Sequence, residues 1–591
     1  MEVYFQMITD PEGLTEACEG YRAEEYLGFD TETTALDPFD GEIRLVQLSN
    51  GKNTVVIDLK HFAKYGDLRT MTELDPLREI LSAKNPVKVA HNAKFDAKWI
   101  AHHLNVELGG TFDTFLASQI ISAGDQDRRH NLAEVASFFL GTELDKSEQV
   151  SDWAAEELSQ SQVEYAAKDA ATMIPLREKV SEKLREDGLD GAAKLEFECV
   201  TPIAVMELNG FYLDSARWRE QLEKVKALQE SVGMELQKLL SAGVAQASLF
   251  GVAEINLNSQ PQVMDALKNL GVPVYDSISS WQLQPLANEY PVVEKLLEYR
   301  KIAKSLSSFG ENILEFIRPE TGRIHADFRQ IGAPTGRFSC SKPNLQQIPH
   351  EKEYRRCFRA EEGNTLIIAD YSQIELRILA EFSGDENFIN AFKSGADFHA
   401  SAAAQVFGIR PEEVTADQRT FAKRLNFGVV YGIGSQRFAM MTGVSQSEAE
   451  DILRKYFTTY RGLDEWLRDA AKRAKEERNA RTASGRMARF RFDETDRQQV
   501  SAAQRYGKNM PIQGTSADIL KIALRILHDA FRGTSARLVN IVHDEIVIEV
   551  RKEEAEEAAK KLEASMIRAA EEYISKVPVK VDVTVSEEWA K

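Results

Sequence analysis

The sequence predicts an α/β protein built from several domains, and three observations lead to this fold class. The chain of 591 residues is too long for one hydrophobic core, since domains average about 150 residues. Between residues 26 and 100, apolar runs typical of strands alternate with segments of helical spacing. Helical spacing dominates residues 192 to 316, and strand-like runs return at residues 365 to 370 and 537 to 550.

The composition restricts the class of protein. Fractions of 43% hydrophobic and 28% charged residues are those of an ordinary globular protein. The formal net charge of −20 argues against a surface coated with basic residues, so any site for a polyanion must be local. The cysteines form no CxxC pair, which predicts neither a disulfide framework nor a zinc ribbon and favours a reducing compartment. They are Cys18, Cys199, Cys340 and Cys357.

No membrane association is predicted. No apolar run approaches the roughly 18 residues that propose a membrane span, and the N-terminus lacks the layout of a signal peptide. We therefore expect a cytoplasmic protein. Neither a low-complexity tract nor a fixed-period repeat is present, which excludes solenoid and propeller folds.

The first elements predict a sheet with helices between its strands. The opening "MEVYFQ" is either the remnant of a purification tag or a strand running into "MITD", and the strand is favoured. The runs "YLGFDTETT", "IRLVQLS", "NTVVIDL" and "VKVAHN" are strand-like, and the last is followed by the helical "AKFDAKWIAHHL". Residues 130 to 186 are predicted to be mostly helical, and the glycine at 188 marks a boundary between lobes.

The following elements predict a long helical arm and a second strand-bearing lobe. The segment "WREQLEKVKALQESVGMELQKLL" is a long amphipathic helix, and "INLNSQPQ" is a loop. Strands are predicted at "TLIIAD" and in the hairpin "RLVNIVHDEIVIEV". Helical material from about residue 384 to 481 separates them. Strands carrying carboxylates therefore lie on both sides of a helical insertion.

Acidic residues end two of these strands. Asp370 closes a buried-type strand, and His543, Asp544 and Glu545 occupy the turn of the hairpin. Pairs of adjacent acids are expected about fifteen times by chance in such a chain, so their position at the ends of strands is the informative feature. Two such acids could hold Mg²⁺, and a pair of ions would stabilise the attacking and leaving oxygens of a phosphoryl displacement. The alternative for Asp370 is the N-cap of a helix beginning at "YSQIEL".

The stretch "RTFAKRLNFGVVYGIG" carries cations and then aromatics on one helical stripe. Arg419, Lys423, Phe427 and Tyr431 follow at intervals of four residues. An amphipathic core helix explains the aromatics but leaves two cations on its buried side. Arginine and lysine suit a triphosphate, an aromatic side chain suits a base or sugar, and Gly428 would let a ring or backbone come close. The pattern predicts a nucleotide lying along the helix.

A second acidic set occurs in the first lobe. The DxE pattern of Asp30 and Glu32 is also expected about fifteen times by chance. Asp96 follows another strand, and Asp169 follows Tyr165 by one helical turn. Four convergent carboxylates repel one another unless cations neutralise them, which favours a two-metal site over an ordinary surface strand.

Five segments together resemble the family A DNA polymerases, the group of bacterial DNA polymerase I. "DYSQIELR", "RTFAKRLNFGVVYG" and "VHDE" are similar to motifs A, B and C of that family. "TGRFSCSKPNLQQIP" and "NMPIQGTSADILK" are similar to two further segments in the same order. The spacing RxxxKxxNFGxxYG alone is expected by chance in less than about one such chain in a million. The first-lobe patterns DxE, NxxFD and YxxxD resemble the DEDD group of 3′-5′ exonucleases.

The resemblance implies an RNase H-like DEDD exonuclease domain followed by a right-hand polymerase domain with palm, fingers and thumb. It implies DNA-templated synthesis from dNTPs on a primer, with proofreading and two Mg²⁺ ions per active site, which Mn²⁺ can replace. We expect a monomer that binds primer-template DNA in the cytoplasm, associated with the nucleoid, while an organelle or phage origin stays open. The implied limits are 1–188 for the exonuclease and 189–591 for the polymerase, with the thumb at about 203–320, the palm at about 321–383 and 500–591, and the fingers at about 384–499.

The resemblance also implies a role for each site residue. Asp370 and Asp544 would hold the polymerase metals, with Glu545 in support. Lys423 would also protonate the leaving pyrophosphate, and Glu375 would exclude a 2′-hydroxyl. The implied dNTP-binding residues are Arg419, Lys423, Phe427, Tyr431, Gln373 and Glu375. The implied DNA-binding residues are Arg337, Asn344, Arg505, Asn509, Gln513 and His543. The implied exonuclease residues are the metal ligands Asp30, Glu32, Asp96 and Asp169, and Tyr165, which would orient the attacking water.

Three positions depart from the family pattern. Gln418 stands where a second arginine usually opens the helix, "TASGRMARF" replaces a "GRRR" segment, and Arg461 stands where proline is common. These differences concern the fingers and the template contacts. In this family, a phenylalanine at the position of Phe427 is associated with poor acceptance of dideoxynucleotides.

Alternative functions come from other classes. The chain could be a DEDD exonuclease whose C-terminal lobe only binds nucleic acid, or its exonuclease lobe could be degenerate. A single-subunit RNA polymerase of phage type is the third alternative, and Glu375 argues against it. The resemblance runs from about residue 8 to 591 and leaves no room for the 5′ nuclease of full-length bacterial DNA polymerase I. The sequence leaves open whether the chain is naturally this short or trimmed.

Overall fold

The computed structural model describes residues 3–125, 127–144, 148, 151–242 and 255–590. Two separate sheets, of six and four strands, are joined by helices, and three two-stranded sheets complete the fold. The predicted α/β multidomain class is confirmed. No helix among the described residues is long and apolar enough to cross a membrane. All four cysteines are buried and free.

The first lobe is built on the six-stranded sheet. Its strands are β1 (Tyr4–Ile8), β2 (Tyr26–Thr33), β3 (Ile43–Ser49), β4 (Asn53–Asp58), β5 (Val87–Ala90) and β6 (Thr111–Asp113). Its helices are α1 (Pro11–Tyr21), α2 (Leu59–Ala63), α3 (Asp75–Ser82), α4 (Ala93–Leu104), α5 (Thr114–Ser122), α6 (Leu132–Leu140) and α7 (Gln160–Glu186). The strand order is β1-β4-β3-β2-β5-β6, and β1 pairs with β4, so the opening segment is a strand as predicted.

Helix α7 lies directly on the sheet because Gly28 in β2 has no side chain. A Cβ atom at Gly28 would lie 2.0 Å from the carbonyl oxygen of Ala170 in α7. Asp30 and Glu32 point to the same face of β2 as Gly28, since side chains alternate along a strand. The glycine therefore brings the helix that carries Asp169 next to two strand carboxylates.

A helical arm follows the first lobe. Its helices are α8 (Asp190–Asn209), α9 (Ser215–Ser241), α10 (Gln260–Asn269), α11 (Ser280–Leu283) and α12 (Pro291–Ser308). The short strands β7 (Phe211–Tyr212) and β8 (Arg323–Ile324) pair at its base. Helix α7 ends shortly before Gly188, and α8 begins after it. The φ of Gly188 is +63°, which suits glycine, so the helix ends near the glycine that the sequence indicated. The predicted long amphipathic helix is α9.

The second lobe contains the four-stranded sheet and most of the remaining helices. Its strands are β9 (Asp327–Arg329), β10 (Ser339–Ser341), β11 (Asn364–Tyr371), β12 (Asn479–Arg481), β13 (Met487–Arg489), β14 (Arg537–Val542), β15 (Glu545–Arg551) and β16 (Val581–Ser586). Its helices are α13 (Lys352–Arg355), α14 (Ile374–Ser383), α15 (Glu386–Lys393), α16 (Phe398–Phe407), α17 (Ala416–Val430), α18 (Ser435–Thr442), α19 (Gln446–Thr459), α20 (Arg461–Glu476), α21 (Arg497–Ala530) and α22 (Ala555–Glu571).

The second sheet has the order β14-β15-β11-β16, and all its neighbours are antiparallel. The hairpin of β14 and β15 is the one predicted, and the helices between β11 and β12 form the predicted insertion. A continuous apolar core joins the arm, this sheet and the insertion. Side chains at the ends of β11 and β15 are therefore held on a rigid base.

Candidate active sites

The carboxylates of the second lobe meet at one edge of the four-stranded sheet. Asp370 is the penultimate residue of β11 and lies opposite Glu545, the first residue of β15. Asp544 occupies the turn before β15, where its carbonyl oxygen accepts a hydrogen bond from the backbone N–H of Tyr371 at 3.4 Å. The N-cap alternative for Asp370 is wrong, because Gln373 occupies the N-cap position of α14.

The electrostatics of this edge favour a cation. Burial, and after it the neighbouring Asp370 carboxylate, raise the pKa of Asp544 to about 7. Both carboxylates would be most stable in their charged form beside a positive ion. The edge is thus a site where the charged form of Asp544 is destabilised by burial and by a neighbouring carboxylate, and a cation would relieve this.

Helix α17 faces this edge across a cavity of about 640 Å³. Its described lining includes the four residues of the predicted stripe together with Asp544 and Glu375, whereas Asp370 and Glu545 are not part of that lining. It is lined by Arg337, Gln373, Glu375, His399, Arg419, Lys423, Phe427, Tyr431, His543 and Asp544, among others. Arg419 also donates a hydrogen bond from Nε to Oδ2 of Asp397 at 2.6 Å. Cations and aromatics of the stripe therefore share one cavity with the carboxylates of Asp544 and Glu375.

The glycines of this segment have a different role from the one expected. A Cβ atom at Gly428 would lie 2.8 Å from Cγ2 of Ile433, so the space above Gly428 is filled by a side chain of this chain. The expectation that Gly428 admits a nucleotide ring is therefore corrected. Gly432, with φ of +62°, lies beyond the end of α17 and turns the chain. Tyr431 is the C-cap of the helix.

Glu375 is the centre of a small polar group in the cavity. Its carboxylate accepts a hydrogen bond from Nη2 of Arg337 and also interacts with the hydroxyl of Tyr431. Burial raises the pKa of Glu375, and the Arg337 guanidinium opposes this shift. The group fixes the position of the Glu375 side chain at the cavity wall.

The other predicted DNA-binding residues lie outside the cavity lining. Asn344 accepts a hydrogen bond from the backbone N–H of Gln346 at 3.1 Å. Arg505, Asn509 and Gln513 follow one another on α21 at intervals of one turn. Among the described residues, Oδ1 of Asn509 is buried without a hydrogen-bond partner, and so is Oε1 of Gln373. Unpaired buried amides of this kind are suited to a ligand.

The sequence did not point to His399, which the fold brings into the cavity. Its ring lies 5.9 Å from that of Phe427, and its Nδ1 lies 2.9 Å from Nδ2 of Asn426. The hydroxyl of Tyr456 donates to Oδ1 of Asn426 at 2.9 Å. His399 belongs to another helix of the insertion, so no local spacing links it to the stripe.

The sequence also did not predict what holds Glu545. The indole Nε1 of Trp589 donates a hydrogen bond to Oε1 of Glu545 at 2.7 Å. The guanidinium of Arg355 lies 4.2 Å from the centre of the Trp589 ring, and its Nη1 lies 3.6 Å from Oε1 of Glu545. Glu545 is thus supported by residues distant in sequence.

Two departures from the family pattern have structural roles. Gln418 forms a capping box at the start of α17, accepting from the Thr415 N–H at 2.9 Å and donating its own N–H to the Thr415 hydroxyl at 3.2 Å. Arg486 of the "TASGRMARF" segment is buried, and its Nη2 lies 2.6 Å from Glu196 and 3.0 Å from Asp518. These side chains stabilise the fold.

The first-lobe carboxylates line a second cavity of about 900 Å³. It is bordered by Asp30, Glu32, Asp96, Asp169 and Tyr165, so all five predicted residues are brought together. Burial raises the pKa of Asp30 and Glu32 well above the usual range, and the neighbouring carboxylates add to this effect. Burial also raises the pKa of Asp96 and of Asp169 to about 7.

Neighbouring hydroxyls orient two of these acids. The Thr31 hydroxyl donates to Oδ1 of Asp96 at 2.7 Å and favours its charged form. The Tyr165 hydroxyl bonds Asp169, and burial raises the pKa of Tyr165. Tyr165 is therefore a neutral donor at the edge of the carboxylate cluster.

Both sites fit divalent cations by their donor chemistry. Carboxylate oxygens are the ligands of hard cations, and the mutual repulsion of these acids is relieved by positive charge. Within the described ranges, no three His, Cys, Asp or Glu side chains are placed close enough together to hold a metal ion as they stand.

The two sites define the class of protein: an enzyme of nucleotidyl transfer whose first lobe is a nuclease. Two family models match the chain, "3'-5' exonuclease" at residues 5–185 and "DNA polymerase family A" at residues 222–591. The chain belongs to DNA polymerase family A and is a DNA-directed DNA polymerase with a 3′-5′ exonuclease domain. Domains of both kinds generally depend on divalent metal ions.

Relatives match almost the whole chain. DNA polymerase I of Aquifex aeolicus is 34% identical over 99% of this chain and 100% of its own length. DNA polymerase I of Pseudomonas aeruginosa is 30% identical over 100% of this chain and 66% of its own length. The solved structure of the POL domain of Pol1 from M. smegmatis, in complex with DNA primer-template and dNTP, has a TM-score of 0.84 at 25% identity and covers 99% of each chain.

Proposed function

We propose that the second lobe extends the 3′ end of a DNA primer with dNTPs on a template and that the first lobe removes mispaired 3′ nucleotides. One observation carries this proposal: the stripe of α17, which includes Arg419 and Lys423, lines the same cavity as Asp544. A relative solved with primer-template DNA and dNTP has the same fold. The alternative of a C-terminal lobe that only binds nucleic acid is not favoured, because the polymerase family model covers that lobe.

The charged and aromatic side chains of the stripe orient the incoming nucleotide. Arg419 and Lys423 lie at the N-terminal side of the stripe and bind the triphosphate, Arg419 through its fork of donors and Lys423 as a point charge. Lys423 is also the proton donor to the pyrophosphate oxygen that leaves. Phe427 and Tyr431, one and two turns further on, contact the sugar and the base. Gln373 contributes its buried amide oxygen to the same nucleotide.

Asp370 and Asp544 are the residues that would hold Mg²⁺ in the polymerase site. The ions, when bound, supply charge stabilisation to the attacking and leaving oxygens of the phosphoryl transfer. Glu545 supports the pair from the neighbouring strand, where Trp589 and Arg355 hold its carboxylate. Mn²⁺ can replace Mg²⁺ because it accepts the same oxygen ligands.

Glu375 selects the deoxyribose. Arg337 and Tyr431 fix its side chain at the cavity wall, so it cannot move away from a 2′-hydroxyl. A ribonucleotide would collide with the carboxyl group or leave a buried polar group unpaired. Deoxynucleotides are therefore the substrate.

The duplex product is bound by contacts that do not read sequence. Arg505, Asn509 and Gln513 lie on one face of α21, and Asn344 and His543 complete this set together with Arg337. Their donors match the minor-groove acceptors, which are nearly the same for all base pairs. Such contacts test the shape of a new base pair rather than its identity.

The first lobe hydrolyses the 3′-terminal phosphodiester. Asp30, Glu32, Asp96 and Asp169 would hold Mg²⁺, and Tyr165 orients the attacking water. The buried cluster of acids in one cavity supports an active exonuclease over a degenerate one.

The organisation of the chain follows from these roles. We propose an exonuclease domain at residues 1–188 and a polymerase domain at 189–591, with the thumb at about 203–320, the palm at about 321–383 and 500–591, and the fingers at about 384–499. The chain works as a monomer in the cytoplasm, in association with the nucleoid.

A labelled primer annealed to a template tests both activities. With Mg²⁺ and dNTPs we expect extension, and without dNTPs we expect shortening from the 3′ end. A variant with Asp30→Ala and Glu32→Ala should extend but not shorten. Extension from ribonucleotides as efficient as from dNTPs would contradict the proposed substrate, and shortening by the double variant would contradict the first-lobe site.

A further inference from the structure

The exonuclease sheet contains a glutamine whose environment is unusual. Gln47 in β3 is fully buried, at 0% exposure. Neither its Nε2 nor its Oε1 has a hydrogen-bond partner among the described residues. A buried amide left unpaired is destabilising, so a partner in another state of the site would stabilise it.

The strand register identifies that partner. Gln47 lies directly opposite Asp30 in β2 and opposite Val56 in β4 on its other side. Paired Cβ atoms across antiparallel strands lie about 4.5 to 5.5 Å apart on the same face, which is within reach of a glutamine amide. Val56 offers no polar group. The Asp30 carboxylate is therefore the adjacent side chain that can accept from Gln47.

Other polar groups near Gln47 already have partners. Ser49, two residues further along β3, accepts a hydrogen bond from the Thr54 hydroxyl at 2.8 Å and donates its own hydroxyl to Asn53 at 3.2 Å. Leu45, two residues before Gln47, is apolar and belongs to the small core beneath α7. Among the side chains directly opposite Gln47 and next to it on the same face of β3, the Asp30 carboxylate is thus the group left to accept from the amide.

We propose that Gln47 is a positioning residue of the exonuclease site, which donates a hydrogen bond from Nε2 to the Asp30 carboxylate and fixes the orientation in which that carboxylate binds a divalent cation. The inference rests on the proposed exonuclease function. Side chains that orient metal-binding groups typically change metal affinity 10- to 100-fold when they are removed. Gln47 itself touches neither substrate nor cation.

Cation binding to the full chain tests this role. Asp370→Asn and Asp544→Asn are introduced into every protein so that the polymerase site does not contribute, and Mn²⁺ binding is measured by calorimetry and by electron paramagnetic resonance. Gln47→Met keeps the length of the side chain and removes the amide. We expect its Mn²⁺ dissociation constant to rise about 10-fold or more, and the digestion of single-stranded DNA to recover at high Mn²⁺ concentration.

Asn540→Leu is the matched control. Asn540 in β14 is likewise fully buried, with both amide atoms unpaired among the described residues, but it lies in the other sheet. This variant should leave Mn²⁺ binding by the first lobe unchanged. If Gln47→Met does not fold, Gln47→Leu takes its place, and thermal melting verifies the fold of each protein.

The outcomes separate the inference from the proposed function. Mn²⁺ binding by Gln47→Met within twofold of its parent would overturn the positioning role, while the exonuclease site itself would stand. A parent protein that binds no Mn²⁺ in the first lobe, with Asp30→Asn indistinguishable from it, would overturn the proposed exonuclease site and the inference with it.

Discussion

At the scale of single residues, strained backbone surrounds the polymerase carboxylates. Gln373 and His543 have φ of +56° and +58°, in the left-handed region that side chains other than glycine rarely adopt. Gln373 follows β11 three residues after Asp370, and His543 directly precedes Asp544. Such conformations persist where the surrounding structure enforces them, and they cluster at functional sites. Both carboxylates are therefore positioned by the turns next to them.

Asp544→Asn should abolish primer extension and leave 3′ degradation intact. The amide keeps the shape of the side chain but removes one negative charge from the cation site. A loss of several kcal/mol of transition-state stabilisation corresponds to a rate about 10³-fold lower. Single-turnover extension measures this effect, and a variant that still extends at the parent rate would refute the assignment of Asp544.

Phe427→Tyr should increase the incorporation of dideoxynucleotides about tenfold or more. The added hydroxyl can bond a nucleotide that lacks its 3′-hydroxyl, and one such hydrogen bond contributes about 1 kcal/mol or more. The intensity of chain-termination bands measures the change. Phe421→Tyr is the control, since Phe421 packs against Phe407 and Phe438 rather than lining the cavity. An unchanged termination pattern in Phe427→Tyr would reject its role at the sugar.

At the scale of elements, the last strand and the residues after it secure the carboxylate-bearing edge. Strand β16 pairs with β11 on the side opposite β15 and places Asp582 opposite Asp370. Beyond β16, the backbone N–H of Trp589 donates to the carbonyl of Phe358 at 2.8 Å, and its indole bonds Glu545. The C-terminal segment thus stabilises the edge of the sheet that carries the carboxylates.

Trp589→Phe should lower both stability and polymerase activity. The phenyl ring retains most of the packing but cannot donate to Glu545, and a buried carboxylate without its donor costs about 1 to 3 kcal/mol. Urea denaturation and primer extension are the measurements. Trp281→Phe, at a side chain that is 67% exposed, should change neither. Equal stability of Trp589→Phe and the parent would argue against support of Glu545 by the indole.

At the scale of the whole molecule, ion pairs join the lobes, and the pair of Lys521 and Glu196 is fully buried. Lys94 on α4, which also carries Asp96, lies 2.6 Å from Glu207 of the arm and 2.6 Å from Asp327 of the second lobe. Lys521 on α21 pairs with Glu196 of α8 and donates to the carbonyl of Gly336, next to Arg337, at 2.6 Å. Removing one partner of a buried pair leaves an uncompensated charge, so these contacts fix how the two lobes are joined.

The stability of the chelated protein should fall as the pH rises from 5.5 to 8. Burial raises the pKa of Asp96, Asp169 and Asp544 to about 7 in the folded chain, against a usual value near 4 in the unfolded chain. The folded state binds more protons between these values, so the free energy of unfolding decreases as the pH rises from about 4 through about 7, and the decrease levels off above the folded pKa. Thermal melting in EDTA measures it.

Added Mg²⁺ should raise the melting temperature more at pH 8 than at pH 5.5, because it neutralises the ionised carboxylates. A triple variant with Asp96→Asn, Asp169→Asn and Asp544→Asn is the control and should show a flatter dependence on pH. An equally steep dependence in that variant would assign the effect to other groups.

The sequence by itself determined most of the elements and the candidates for the sites. Apolar runs predicted the strands β2, β3 and β11, and a spacing of four residues predicted the helix α17, because both patterns are local in sequence. The four-residue spacing of Arg419, Lys423, Phe427 and Tyr431 placed these residues on one stripe, since a helix is a local structure. The carboxylates were identified by their positions after strands and by the resemblance to known motifs, because their spacing alone occurs often by chance.

Only the tertiary structure decided which distant groups meet. His399 beside Phe427 and Trp589 beside Glu545 depend on how separate elements pack, and no local pattern encodes those contacts. The sequence also assigned Gly428 to the nucleotide, whereas Ile433 occupies its space. The proposed role of Gln47 likewise depends on the strand register, which sets it opposite Asp30. Local spacing fixes which side chains share a face, and long-range packing fixes what that face contacts.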